Sequence, residues 1–268
     1  MKEYFSTYSS FTVAAIVVLL FVTLSLISLW IVRRFCKPLV FVGHTDFGEI
    51  FSDAIGVVFA LILAFVAVAI WQNYDKIDDD VSKEANALHN MYRNLEAYPE
   101  PISTQSKLLI RQYVQVVITD EWPKLANARQ DEKAHRLLNR IKSLILTFTP
   151  QNYGELVLHQ ETVRQLSEYS GLRHDRINGG KPNLTPPIWL TLIGGTVLYL
   201  LYLCFFDLPD GKHHAVMIGS LAAFLGLVYY LLIIYNYPFT EPGAVSSDAF
   251  KDLMEYWKLD VIPLPPQL

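Results

Sequence analysis

Four stretches of the sequence are each long enough to cross a lipid bilayer. A transmembrane helix needs about 20 mostly apolar residues, and the four stretches cover residues 11–32, 50–71, 187–206 and 215–235. None of them carries a charged residue at its centre. Four buried helices in a water-soluble protein would need much more amphipathic sequence to cover them than the chain contains. The sequence therefore predicts an all-α integral membrane protein with four transmembrane helices.

The remaining composition excludes several classes of protein. Charged residues make up 18% of the chain, below the quarter or so that is typical of soluble domains. A net charge of -4 does not suit a nucleic-acid partner. Two cysteines are too few for a disulfide framework, and the histidines are not spaced as metal ligands. No phosphate-binding glycine loop or nucleophile motif is present, so we expect no enzyme, no cofactor and no metal site.

The spans form two hairpins around a polar region. We expect a first transmembrane hairpin over residues 1–72, a helical extramembrane domain over 73–186, a second hairpin over 187–236, and a tail over 237–268 that contains a short amphipathic helix. Four crossings place both termini and the helical domain on one side of the membrane. Basic residues near the span ends are slightly more frequent on the domain side, which favours the cytoplasm. Arg33 and Arg34 follow the first span in place of a cleavage site, so that span is expected to stay uncleaved.

The second span continues into the polar region without a helix breaker. Residues 57–97 contain no glycine and no proline. A helix from about Ile50 to Ala97 would be about 70 Å long, of which the bilayer core takes about 30 Å. Beyond the membrane, apolar residues recur at helical spacing on one face, namely Val81, Ala85, Leu88, Tyr92 and Leu95. We therefore predict one helix that is shared by the membrane bundle and the helical domain.

Two neighbouring stripes run along the second span. The first contains Ser52, Gly56, Phe59, Leu63, Val66, Ile70 and Asn73. The second contains Asp53, Val57, Ala60, Ala64, Ala67, Trp71 and Tyr74. Small residues allow membrane helices to approach closely, so we expect Ala60, Ala64 and Ala67 to pack against another helix. The first stripe would then face lipid, an ordinary packed core, or a narrow apolar pore that gates ions by dewetting.

Acidic residues lie at both ends of this span. Asp46, Glu49 and Asp53 are found at its start, and Asp75, Asp78, Asp79 and Asp80 follow its end. Rings of acids produced by symmetry would concentrate cations at the mouths of a pore. Arg33, Arg34 and Lys37 oppose this effect at one mouth. The alternative is that the aspartates only form the solvated face of a helix.

Two short motifs in the helical domain suggest structural roles. In the tripeptide that begins at Glu121, we expect Trp122 to pack, Pro123 to turn the chain and Glu121 to pair with an arginine. Arg173 and Arg176 are close in sequence to the third span. We expect them at the membrane surface, in contact with lipid phosphates or with acids of a neighbouring subunit.

Several motifs together resemble a bacterial family described as bestrophin-like. They are the second span GVVFALILAFVAVAIWQNYD, the helix EANALHNMYRNL that begins at Glu84, the tripeptide EWP, the segment LRHDR from Leu172, and the turn YNYPFTEPG after the last span. The resemblance covers nearly the whole chain. One departure is Tyr237, which precedes the Pro-Phe pair where the family pattern has an arginine.

The resemblance implies the fold and function of bestrophins. These are pentameric ion channels with four spans per subunit, cytosolic termini, a helical cytosolic region, and an apolar neck on the second helix. We accordingly expect a homo-oligomeric ion channel in the bacterial inner membrane, with membrane lipids, other copies of the chain and permeant inorganic ions as partners. The acids at the ends of the second span would make such a channel cation-preferring. Its pore would be lined by the first stripe and constricted at Phe59, Leu63, Val66 and Ile70. The alternative is a non-conducting membrane scaffold or sensor whose helical domain binds a partner.

Overall fold

The computed structural model describes residues 10–36, 45–206, 208 and 210–259, which form helices and short connections. The predicted all-α class is confirmed, and four of these helices are long and apolar enough to cross a membrane. The α-helices are α1 (Ser10–Phe35), α2 (Thr45–Glu96), α3 (Ile102–Val116), α4 (Glu132–Leu146), α5 (Tyr153–Gly179), α6 (Pro186–Cys204), α7 (Gly211–Asn236) and α8 (Asp248–Leu259).

The chain divides into two units. Residues 1–74 and 182–244 form the first, here called the membrane unit, which contains α1, the first part of α2, α6 and α7. Residues 75–181 and 245–268 form the second, here called the helical unit, which contains the rest of α2, α3 to α5 and α8. The segment after α7 is divided between the two units, because the part up to Ala244 belongs to the membrane unit and α8 belongs to the helical unit.

The membrane unit is built around an apolar core between α1, α2, α6 and α7. Val17 of α1, Leu192 of α6 and Leu225 of α7 are buried in this core. One polar contact lies inside it, where the hydroxyl groups of Thr196 and Tyr229 are 2.7 Å apart. A hydroxyl group in a low-dielectric core is costly unless it has a partner, so this pair satisfies both side chains and joins α6 to α7.

Gly226 sets the separation of α1 and α7. A Cβ atom at this position would lie 2.9 Å from the Cα atom of Val18, and a backbone atom cannot move aside as a flexible side chain can. We therefore expect Gly226→Ala to destabilise the membrane unit by about 1–3 kcal/mol. The matched control is Gly219→Ala on the same helix, where the added Cβ meets nothing within 4 Å. The melting temperatures of the two variants are measured by thermal unfolding of the purified chain in detergent. Equal melting temperatures for Gly226→Ala and Gly219→Ala would contradict the prediction.

The helical unit is built from the second part of α2, α3, α4, α5 and α8. α3 packs against α4 and continues into a π-helical turn, Val117–Glu121, and a 3-10 helix, Trp122–Asn127. Pro123 lies at the start of this 3-10 helix, in agreement with the predicted turn, because proline lacks an amide hydrogen and cannot continue an α-helix. In α8, Phe250 and Trp257 are fully buried. The segment 260–268 lies outside the described residues.

Side chains cap α4 and α5 at their N-terminal ends. The carboxylate of Asp131 accepts hydrogen bonds from the backbone amides of Lys133 and Ala134 at the start of α4. The side-chain oxygen of Asn152 accepts one from the amide of Glu155 at the start of α5. Such caps satisfy amide groups that have no partner within the helix. They fix where α4 and α5 begin.

Candidate functional site

The structure places the predicted pore-lining stripe on the packed face of α2. Ser52, Leu63 and Ile70 are 6%, 7% and 1% exposed, and Leu63 and Ile70 belong to the core that includes Leu192 and Leu225. The other members of the stripe, Gly56, Phe59, Val66 and Asn73, are half-buried. Burial within the chain favours a packing role for Ser52, Leu63 and Ile70, and their assignment to a pore wall stays a prediction.

Aromatic residues of α6 explain why this stripe is covered. The hydroxyl group of Tyr199 would be 2.7 Å from a Cβ atom at Gly56, and the ring of Phe59 would be 2.7 Å from a Cβ atom at Gly195. The rings of Phe59 and Tyr199 have centroids 6.3 Å apart. Each glycine therefore makes room for an aromatic ring on the opposite helix. These complementary shapes orient α2 about its own axis.

The opposite face of α2 is exposed along the predicted span. Val57 and Leu61 are 60% and 53% exposed, and Ile50, Phe65 and Val68 are exposed as well. Ala60 and Ala64, which we expected to pack, are exposed within the single chain, whereas Ala67 is half-buried. A helix of 3.6 residues per turn brings positions 50, 57, 61 and 68 onto one side. α2 thus keeps one continuous apolar face, here called the free face of α2, that its own chain leaves uncovered.

Most of the predicted mouth acids that the structure describes are exposed. Asp53, Asp75, Asp78 and Asp79 are exposed, and Asp79 pairs with Lys83 at 2.5 Å. Asp80 is 9% exposed and thus largely covered. The side chains of Asp46 and Glu49 lie outside the described residues.

A cluster of four charged side chains lies inside the helical unit. Glu84 of α2, Glu121 at the end of the π-helical turn, and Arg173 and Arg176 of α5 are all buried. The two arginines are three residues apart, so they lie on the same side of α5. The extra residue in each π-helical turn changes the direction in which Glu121 leaves the chain. The cluster therefore depends on three separate elements.

The geometry of this cluster is that of a continuous ion-pair network. Arg176 donates from Nε and Nη2 to the two carboxylate oxygens of Glu84, at 2.6 and 3.1 Å. Nη2 of Arg176 also donates to Glu121 at 2.9 Å, and Nη2 of Arg173 donates to the other oxygen of Glu121 at 2.5 Å. Two carboxylates and two guanidinium groups balance in charge, which is required where buried charges would otherwise be very costly.

Aromatic side chains surround the network. The guanidinium carbon of Arg176 lies 5.0 Å from the centroid of the Trp122 ring and 5.6 Å from that of Phe250. Both distances are within the range of a cation–π interaction. The indole of Trp122 also donates to the carbonyl oxygen of Val245 at 3.2 Å. Arg176 therefore connects α2 and α5 to the segment that leads into α8.

Burial shifts the pKa values of Glu84 and of two buried tyrosines, Tyr113 and Tyr169. It raises the pKa of Glu84, an effect that the neighbouring Arg176 guanidinium opposes. It also raises the pKa of Tyr113 and the pKa of Tyr169 well above their ordinary values. The hydroxyl group of Tyr169 donates to that of Tyr113, so both phenols stay protonated and act as hydrogen-bonding groups.

The cluster corrects one prediction and confirms another. Glu121 pairs with arginines, as expected from the sequence. Arg173 and Arg176 were expected at the membrane surface, but they are buried and pair with acids of their own chain. A signal for this was present in the sequence, because Glu84 falls between Val81 and Leu88 on the apolar face of α2 and needs a buried partner there. Among the described residues, no group of three His, Cys, Asp or Glu side chains could hold a metal ion.

Comparison with known proteins identifies the family. A family model described as the bestrophin-like domain matches residues 19–250. No curated protein matches the chain in sequence. The crystal structure of a mutant bacterial bestrophin homologue from Klebsiella pneumoniae is similar with a TM-score of 0.64 and 15% identity, over 92% of this chain and 98% of that one. A crystal structure of a membrane protein variant is similar with a TM-score of 0.60 and 16% identity, over 92% and 97% of the two chains. With its four membrane helices and its helical unit, the chain belongs to the bestrophin-like family.

Proposed function

We propose that the chain is the subunit of a homo-oligomeric ion channel in the bacterial inner membrane. Family membership supports this proposal, because the resemblance to bestrophins implies a ring of five subunits around a central pore. The same resemblance supports a cytoplasmic location for the helical unit and both termini. Lipids, further copies of the chain and permeant inorganic ions are the partners of such a channel.

The observation that carries the proposal is the free face of α2. A helix that lines a central pathway must keep one side uncovered by its own chain, and α2 does so at Ile50, Val57, Leu61 and Val68. An apolar constriction made by these side chains can stop ions by dewetting. We therefore place the constriction at Val57, Leu61 and Val68 in place of the packed stripe. The exposed Ala60 and Ala64 lie beside this line and suit close contact with α2 of a neighbouring subunit.

The experiment that tests the proposal combines imaging with a flux assay. The purified full chain is viewed down the membrane normal by electron microscopy, and the same preparation is reconstituted into liposomes for a salt-flux assay. We expect rings with a central opening and measurable flux. Single subunits in both detergent and lipid would overturn the proposal. Intact rings that conduct nothing would overturn it as well, in favour of the non-conducting scaffold.

We also propose that the channel prefers cations, because acids are exposed at the end of the second span. Asp75 and Asp78 are exposed just after the span, and a ring of such carboxylates raises the local cation concentration. In a bilayer with a salt gradient, we expect the reversal potential to have the sign that selective permeation of cations produces. The double variant Asp75→Asn, Asp78→Asn should move this potential towards zero.

The matched control removes two charges elsewhere. Asp252→Asn together with Glu255→Gln acts on exposed residues of α8 and changes the net charge by the same amount. The control should keep the reversal potential of the unmodified chain. A reversal potential of the sign for anions in the unmodified chain, or an equal shift in both double variants, would contradict cation preference.

A further inference from the structure

A basic cleft lies in the helical unit beside the ion-pair network, with which it shares Arg173. It has a volume of about 400 Å³ and is open to solvent between α4, α5 and the loop that precedes α4. Four basic side chains line it, namely His135, Lys142, Arg173 and His174, and no carboxylate is among the residues that line it. The charge of Arg173 is balanced by Glu121, so the cleft lining offers the cation of Lys142 together with several hydrogen-bond donors.

The two helices present the same pair of side chains to this cleft. On α4, the amide of Asn139 lies 3.0 Å from Nε2 of His135. On α5, the amide of Asn178 lies 2.8 Å from Nε2 of His174. An asparagine amide that donates to Nε2 leaves the proton of a neutral imidazole on Nδ1. Each histidine ring is thus held in an orientation in which Nδ1 is a donor.

Arg173 gives the cleft a buried cation with spare hydrogen-bonding capacity. The residue is 6% exposed and lines the cleft. Its Nη2 donates to Glu121, which is shared with Arg176, while its Nε has no hydrogen-bond partner in the structure. Buried donors without a partner are rare in folded proteins because each one costs free energy. Because Glu121 balances the charge of Arg173, what Arg173 adds to the cleft is an unpartnered N–H donor, which suits an acceptor oxygen of a bound anion.

We propose that this cleft binds the phosphate group of a phosphate monoester. A phosphate dianion offers several acceptor oxygens, which suits a site with a guanidinium group, an ammonium group and neutral donors. Lys142 supplies a cation from α4, and Arg173 supplies an N–H donor from α5. The phosphate group can belong to a soluble metabolite or to a lipid headgroup. The proposal concerns the helical unit and does not depend on whether the chain conducts ions.

Equilibrium dialysis with radiolabelled inorganic phosphate tests the site on the purified full chain in detergent. We expect saturable binding at neutral pH. Lys142→Met and His174→Gln should each weaken it by about tenfold or more, because each removes one direct partner of the anion. Arg140→Met is the matched control, since Arg140 is an exposed cation of the same helix and does not line the cleft.

Competition identifies the source of the phosphate group. Dihexanoyl phosphatidic acid and glycerol 3-phosphate are each used to displace the labelled phosphate. Stronger displacement by the lipid supports a lipid headgroup, and stronger displacement by glycerol 3-phosphate supports a soluble monoester. Non-saturable phosphate binding would overturn the site, as would an equal loss of binding in Arg140→Met and Lys142→Met.

Discussion

Replacing Glu121 with glutamine is expected to destabilise the helical unit by about 3–5 kcal/mol, the cost of removing one partner from a buried ion-pair network. Glu121 accepts hydrogen bonds from both Arg173 and Arg176. Its neutralisation therefore leaves the carboxylate of Glu84 alone to balance the charge of two guanidinium groups. The loss is measured by urea unfolding of the purified chain in detergent, followed by near-ultraviolet circular dichroism.

A second substitution and a control test whether the loss of stability comes from unbalanced charge in the network. Arg173→Met added to Glu121→Gln should recover part of the loss, because it removes one of the two uncompensated cations. Glu161→Gln is the control, since Glu161 also pairs with an arginine, Arg164, but at an exposed position of the same helix. The control should leave the unfolding midpoint almost unchanged. If Glu121→Gln and Glu161→Gln unfold alike, the network does not stabilise the unit.

Replacing Val57 and Leu61 together with alanine is expected to increase ion flux through reconstituted liposomes by about tenfold, equivalent to lowering the barrier by about 1.4 kcal/mol. Both side chains lie on the free face of α2. Shortening them widens and hydrates an apolar constriction, which lowers its barrier to ions. The measurement is the initial rate of salt efflux from liposomes with equal amounts of protein.

The controls for this prediction are exposed apolar residues on other membrane helices. Leu19 of α1 and Leu198 of α6 are 61% and 70% exposed, and Leu19→Ala with Leu198→Ala removes comparable apolar volume. Flux should be unchanged in this double variant. If Val57 and Leu61 can be replaced without a change in flux, the free face of α2 does not form the constriction.

The helices themselves were predictable because their signals are local. The length and apolar character of the four spans gave the fold class, and the absence of glycine and proline over residues 57–97 predicted the continuous helix that the structure shows as Thr45–Glu96. Pro123 marked the turn into the 3-10 helix. Such signals act through backbone geometry within a few residues, so they can be read without knowledge of the partners in space.

The role of each face of α2 could not be read in the same way. Two stripes of similar apolar character run along the span, and periodicity alone does not say which one faces the other helices of the chain. That choice is made by Tyr199 of α6, which packs on Gly56 and on the ring of Phe59. Shape complementarity between distant segments is a tertiary property, because packing is sensitive to volume changes as small as one methylene group.

The sequence by itself thus determined the class of protein, the four membrane helices and the pairing of Glu121 with an arginine. Only the tertiary structure decided that Arg173 and Arg176 are buried, that Glu84 completes their network, and that α2 leaves Val57 and Leu61 uncovered. The physical reason is that helix formation depends on neighbours three and four residues away. Burial and charge pairing depend on contacts such as that between Glu84 and Arg176, which are 92 residues apart in the chain.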